Sequence, residues 1–195
     1  MDNRDLNYFW KNCKERKLCI DYALKWRKCK SKEQLVNFAL KTQSAIFFAN
    51  AIYHGWGLSI GYIKNEFSDY INGKYYGVNV DGIEQLTDYR SAFYCEYNDE
   101  IIKDVDSIHL IKCNCELTVP LERSGIIYIS NSSNITLYLK DYSCPIIYLM
   151  DESKLTLEAD TENCDVLIFK LSDKCSIKKI KTSGKYLIER KEIQL

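Results

Sequence analysis

The sequence predicts an α+β protein in which a helical N-terminal domain is followed by a short, β-helix-like β-solenoid of about four coils. Apolar residues in the first part of the chain fall at helical spacing. From about residue 106, short apolar-hydroxyl-apolar runs recur at a nearly constant interval. Only eight glycines and two prolines punctuate 195 residues, which argues against a long flexible linker. The expected division is 1–75 helical, 76–105 a connector with a short strand, and 106–195 the solenoid.

Taken in order, Leu18, Tyr22, Trp26 and Cys29 lie at spacings of four, four and three and share one helix face. Ser31, followed by Glu33 and Gln34, reads as the start of a second helix with Leu35, Phe38, Ala39 and Thr42 as its buried stripe. A third covers 43–53. Two glycines around Trp56 stop it, Ser59 is placed to cap the next helix, and Ile60, Ile63, Phe67, Tyr70 and Ile71 run to a stop at Asn72-Gly73. Beyond that the period is lost, apart from a short strand expected at 92–97.

In the second half, aligning Ile111, Ile129, Leu149 and Phe169 brings Leu117, Ile135, Leu155 and Cys175 into one column and Val119, Leu137, Leu157 and Ile177 into another. Between these two columns lie Thr118, Thr136, Thr156 and Ser176; a further column joins His109, Ile127, Ile147 and Leu167. The offsets are 18, 20 and 20 residues. Coils that cannot bury their own apolar side must stack, so the flanking apolar residues face inward and the hydroxyls form an outward ladder. Cys144 and Cys164 are expected to form a second, internal ladder. An antiparallel sandwich with accidental spacing is the alternative. The final "GKYLIERKEIQL" reads as a last strand whose charges protect an open edge.

Composition bounds the function. With 27 basic and 27 acidic residues the formal net charge is zero, which argues against a uniformly basic nucleic-acid coat. The balance is uneven along the chain: eleven Lys or Arg against five Asp or Glu over 1–41 (+6), four against nine over 42–105 (−5), and twelve against thirteen over 106–195 (−1). No segment has the apolar run of a signal peptide or a membrane span, so the nine cysteines are expected as reduced thiols in the cytoplasm of the producing cell.

Candidate chemistry is sparse. His54 and His109 fall in different predicted domains, the first read as a helix cap and the second as a buried residue. Cys113 and Cys115 could ligate a metal as a Cys-x-Cys pair, but zinc needs a second pair at suitable spacing. Cys13, Cys19 and Cys29 read as small hydrophobes. Asp151 with Glu152, and Asp160 with Glu162, could act as the two carboxylates of a glycosidase, but both pairs fall at predicted corners. A helix-turn-helix over 43–71 would present Lys64 beside Glu66 and Asp69, a poor charge balance for phosphates. No cofactor or metal site is expected. The candidate surface is therefore one of interaction: Lys14, Arg16, Lys17, Arg27 and Lys28 on the basic helices, Trp56 in its glycine turn, and Thr118, Thr136 and Thr156 on the sheet face.

The opening "FWKNCKERKLCIDYALKWRKCKSKEQL", then "GWGLSIGYIKNEFSDYING", "SAFYCEYNDE" and the stacked strands together resemble uncharacterised proteins encoded by bacteriophages and prophages of gut anaerobes. The resemblance covers most of the chain, rests on no catalytic motif and transfers no site residue. It implies a viral or mobile-element product acting inside an infected bacterium or in the virion. The expectation is a non-enzymatic interaction protein with a host or viral protein partner, and homo-oligomerisation is compatible with it. Nucleic acid is a less favoured partner, and no membrane is involved. The alternatives are a structural virion component, as fibre or decoration subunit, and, last, a polysaccharide-acting enzyme.

Overall fold

The parallel repeat predicted for the second half is present in the computed structural model, which describes residues 7–8, 11–12, 14–15, 28–29, 31–39, 42–73, 75–77, 90–181 and 186–190. The architecture is a β-solenoid of about four turns accompanied by a few helices. Its strands are β1 (Tyr75–Gly77), β2 (Arg90–Cys95), β3 (Ile101–Ile102), β4 (Ser107–Ile111), β5 (Asn114–Val119), β6 (Ser124–Ser130), β7 (Asn134–Leu139), β8 (Cys144–Leu149), β9 (Lys154–Ala159), β10 (Val166–Lys170), β11 (Ser176–Lys181) and β12 (Tyr186–Arg190).

Even-numbered strands stack into one sheet, β1-β2-β4-β6-β8-β10-β12, and the remaining odd-numbered ones into a second, β11-β9-β7-β5-β3. Every pairing is parallel except β1 with β2. The chain thus visits the two sheets alternately, and the stack is entered at Arg90, where β2 pairs in parallel with β4.

Between the sheets lies a dry interior built of columns. Ile108, Ile127, Ile147 and Ile168 form one from the first sheet; Leu117, Leu137 and Leu157 face it from the second, and all are essentially inaccessible. Each such side chain contributes about 1.5–3 kcal/mol by leaving water. Alternation along β7, β8 and β9 is strict, apolar inward and mixed outward.

The middle coils keep the expected register: Ile135 pairs with Leu155, Thr136 with Thr156, Leu137 with Leu157. The outer coils do not. Ile111 pairs with Ser130, not Ile129, and Lys170, not Phe169, pairs with Leu149. On the second sheet Glu116 stands beside Thr136 and Lys178 beside Thr156, so Thr118 and Ser176 leave the threonine column. The step is 20 residues from β5 to β7 (Asn114 to Asn134) but 22 from β9 to β11 (Lys154 to Ser176). Longer corners in the last coil absorb the extra residues.

Those corners also correct the cysteine ladder. Cys144 pairs with Ser124 and is exposed, whereas Cys164 is buried, its Sγ 3.2 Å from the Lys140 carbonyl. At the opposite corner the chain turns with a backbone hydrogen bond closing on a short polar residue: Ser133 to Ser130, Ser153 to Met150, Cys175 to Ser172. The Ser133 hydroxyl donates to the Ser130 carbonyl at 2.6 Å and accepts from the Cys113 N–H at 3.0 Å. The Cys175 thiol lies 3.3 Å from the carbonyls of Leu149 and Asp151. Serine and cysteine do one job here: a small side chain whose weak or strong donor satisfies an inner-corner carbonyl. Burial pushes the Cys113 thiol up to about 12 and that of Cys175 up to about 11, far from the reactive thiolate.

Among the described helices, α1 (Lys32–Ala39) begins where Ser31 Oγ accepts from the Gln34 N–H at 3.2 Å. Next, α2 (Thr42–Tyr53) ends in a Schellman turn, with Trp56 N–H to the Ala51 carbonyl at 2.8 Å, Gly55 N–H to Ile52 at 3.2 Å and Gly55 at φ +66°. Ser59 caps α3 (Ile60–Glu66) as expected, accepting from the Tyr62 N–H at 3.1 Å. No described helix is long and apolar enough to cross a membrane.

These helices share their core with the first sheet. Leu35, Ile52, Trp56, Ile63 and Phe67 pack with Phe93, Cys95 and Ile111 from its outer side. Ala45 and Ala49 let α2 approach Tyr128 and Met150 closely. The outward column Phe93, His109, Tyr128, Tyr148 and Phe169 lies on that side. Its members from His109 to Phe169 are stacked, at centroid spacings of 4.4, 5.1 and 5.0 Å set by the strand separation. His109 is buried, as expected, but its column mates are aromatic instead of the predicted Ile127, Ile147 and Leu167.

Candidate interaction surface

Where α2 lies against the seven-stranded sheet, the five-stranded sheet has no described helix on its outer side. Three outward columns cross it. Asn114, Asn134, Lys154 and Ser176 form the first, with the Asn134 amide donating to Asn114 Oδ1 at 2.9 Å. Glu116, Thr136, Thr156 and Lys178 form the second; Thr118, Tyr138 and Glu158 the third. All are exposed or half-exposed.

Charge is graded along the stack. At the β3–β5 end, Asp99, Glu100 and Glu116 line a polar groove of about 500 Å³ together with Asn98, Asn114, Cys115, Asn134 and Thr136. Its neighbour Tyr138 has a phenol held above its ordinary range, first by loss of water and then by Glu116 and Glu158. At the β9–β11 end stand Lys154 and Lys178.

The predicted surface residues do not converge on one patch. Thr136 and Thr156 are adjacent on the open face, and Thr118 is there too, one column away. Trp56 is the correction: it is 4% exposed, inside the helical core, with Phe47 at 5.8 Å and the His54 ring stacked on it at 5.0 Å. Its ring is a core element because the Schellman turn delivers the residue after Gly55 back onto α2. Lys14 and Lys28 are exposed, and Arg16, Lys17 and Arg27 lie outside the described residues, as do Cys13 and Cys19.

A second concavity forms where the end of α2 meets two solenoid corners. It measures about 280 Å³ and is lined by Asn50, Tyr53, His54, Met150, Asp151, Leu171, Ser172 and Lys174. Asp151 is committed to structure there: its carboxylate accepts from the backbone N–H groups of Asn131, Ser132 (2.9 Å) and Glu152 (2.6 Å) and from the Ser153 hydroxyl (3.1 Å). Burial raises its carboxyl, and those four bonds pull it back. Asn131 adds a bond from its amide to the Ala49 carbonyl at 3.0 Å, fastening helix to corner. Glu152 pairs with Lys174 at 2.8 Å, and Asp160 with Lys140 at 2.9 Å. The carboxylates considered for sugar chemistry therefore stand at corners, Asp151 buried and Glu152 and Asp160 in ion pairs.

Cys113 and Cys115 both point into the core, and no group of three or more metal-binding side chains gathers among the described residues. The signal missed in the sequence was the charge gradient, visible only once Glu116 and Lys178 were brought into the threonine column. Comparison with protein-family models, curated proteins and solved structures gave no match.

Proposed function

We propose that the chain is a non-enzymatic macromolecular interaction protein whose open five-stranded sheet face binds a protein partner, with the N-terminal helical domain as a second docking element. One observation carries this reading: the helices lie against the seven-stranded sheet, while the outer side of the other sheet displays Thr136, Thr156, Tyr138 and flanking charges without a described cover. A flat, regular surface of hydroxyls, amides and one tyrosine provides many shallow contacts and no enclosed centre for chemistry. The resemblance to phage and prophage proteins supports a host or viral protein as that partner, met in the cytoplasm of an infected bacterium.

The test pairs recovery of bound protein from host lysate with substitutions on the face. Wild-type chain and Thr136→Lys/Thr156→Lys are compared after circular dichroism confirms equal folding. A partner retained by the wild type and lost by the variant supports the reading. Equal recovery, or none by either, opposes it, and a trimer that persists on dilution would favour a virion subunit instead.

A further inference from the structure

We propose that the open sheet face is also self-complementary, and that two copies of this chain dock through it with their solenoid axes antiparallel, forming a transient, salt-sensitive dimer. The inference rests on the reading of this face as the interaction surface and adds a specific occupant.

Its basis is the order of residues in the outward columns. The second column reads Glu116, Thr136, Thr156, Lys178 from β5 to β11, acidic at one end, basic at the other, and hydroxyl between. Consider a two-fold axis in the plane of the interface, parallel to the strands and passing between β7 and β9. It reverses the stacking order and keeps the strand direction, so β5 of one copy faces β11 of the other and β7 faces β9. Glu116 then meets Lys178, and Thr136 meets Thr156. In the neighbouring columns Tyr138 meets Glu158, Asn134 meets Lys154 and Asn114 meets Ser176. Every pair is opposite in charge or a hydrogen-bonding match, and each occurs twice, as an isologous contact requires.

The other in-plane two-fold, along the stack, would set Glu116 against Glu116 and Lys178 against Lys178. Like charges directly opposed are destabilising, so electrostatics selects the first axis. Aligned sheets of this kind pack about 10 Å apart, within reach of these side chains.

The size of the face sets the strength. Four strands at about 4.8 Å and six residues at about 3.3 Å give roughly 20 by 20 Å per copy. That is at the low end for specific interfaces and well short of an obligate dimer. The contact is therefore expected to be weaker than about 1 μM and to depend on its charged ends.

Sedimentation of the full chain from about 10 to about 500 μM, at about 0.05 and 0.5 M salt, tests it. The expected result is a weight-average mass that rises toward the dimer with concentration at low salt and falls back at high salt. Glu116→Lys and Lys178→Glu should each shift the apparent Kd upward at least about tenfold, since each opposes like charges at both symmetry-related sites. The double variant, which exchanges the two charges, should restore it. A monomer at all concentrations in low salt overturns the dimer, while loss of partner recovery in Thr136→Lys/Thr156→Lys would still uphold the face. A dimer indifferent to salt and to both single variants places self-association elsewhere; joined to unchanged partner recovery, it removes the face altogether.

Discussion

Lys103 is 1% exposed, and its ammonium donates to the carbonyls of Val105 and Ser124, both at 2.6 Å, and to Asp106 at 3.5 Å. All three N–H donors are used, so the side chain staples the β3–β4 connection to the start of β6. Gly125 completes the fit: at φ +106°, a Cβ there would stand 2.1 Å from the Asp106 carbonyl oxygen. Loss of water lowers the lysine to about 8. A folded-state value below the unfolded 10.5 means that the unfolded chain binds more protons between those limits, so this group's contribution to stability grows as pH rises from 8 to 10.5. In denaturant titrations, the stability difference between wild type and Lys103→Met should therefore move by roughly 2 kcal/mol in favour of wild type between about pH 7.5 and pH 10. A constant difference would mean that the ammonium keeps its water. The thiols give a second residue-level expectation. Alkylation of the native protein followed by mass spectrometry should modify the exposed Cys144 first and leave Cys95, Cys113, Cys115, Cys164 and Cys175 intact until unfolding. Early reaction at Cys113 or Cys175 would contradict their corner role.

At the scale of the strand, inward and outward positions make opposite demands. Leu137→Asp introduces an unpaired carboxylate where nothing can solvate it and should cost upwards of about 3 kcal/mol, while Thr136→Lys on the open side should stay within about 0.5 kcal/mol. Thermal denaturation of the pair decides the matter: equal losses would invert the assigned faces. This alternation was legible in the sequence for β7 and β9, where "ITL" and "LTL" recur 20 residues apart. It misled at the ends for a physical reason. The corner before β11 is two residues longer than its predecessors, and "CSI" matches "LTL" in polarity, so the eye aligns it two positions early. The aromatic column was hidden differently: Tyr128 and Tyr148 point away from the solenoid interior, yet they read as apolar in a one-dimensional pattern. That α2 lies against Tyr128 depends on Ala45 and Ala49, and no local spacing announces which sheet a pair of alanines will meet.

For the molecule as a whole, helices and solenoid are bound by a shared core, since Leu35, Ile52 and Trp56 pack with Phe93 and Ile111. A chain beginning at residue 90 would leave Phe93, Ile111, Tyr128 and Met150 as a contiguous apolar patch. Such a fragment is expected to bind a hydrophobic dye and to aggregate, whereas the full chain does neither. A well-behaved fragment would show that the solenoid tolerates the loss of its cover. Division into 1–75, 76–105 and 106–195 was drawn from changes of period, which track local structure but carry no information about such shared burial.

The 20-residue step that relates β6 to β8 and β7 to β9 also makes the protein a ruler. Its length is a count of copies, and each copy already carries its own corner chemistry in Ser133 and Ser153 and its own interior leucine. Duplicating residues 134–153 in place should add one graduation of about 4.8 Å to the rod and one more threonine to its exposed edge of markings, with small-angle scattering reading the increment.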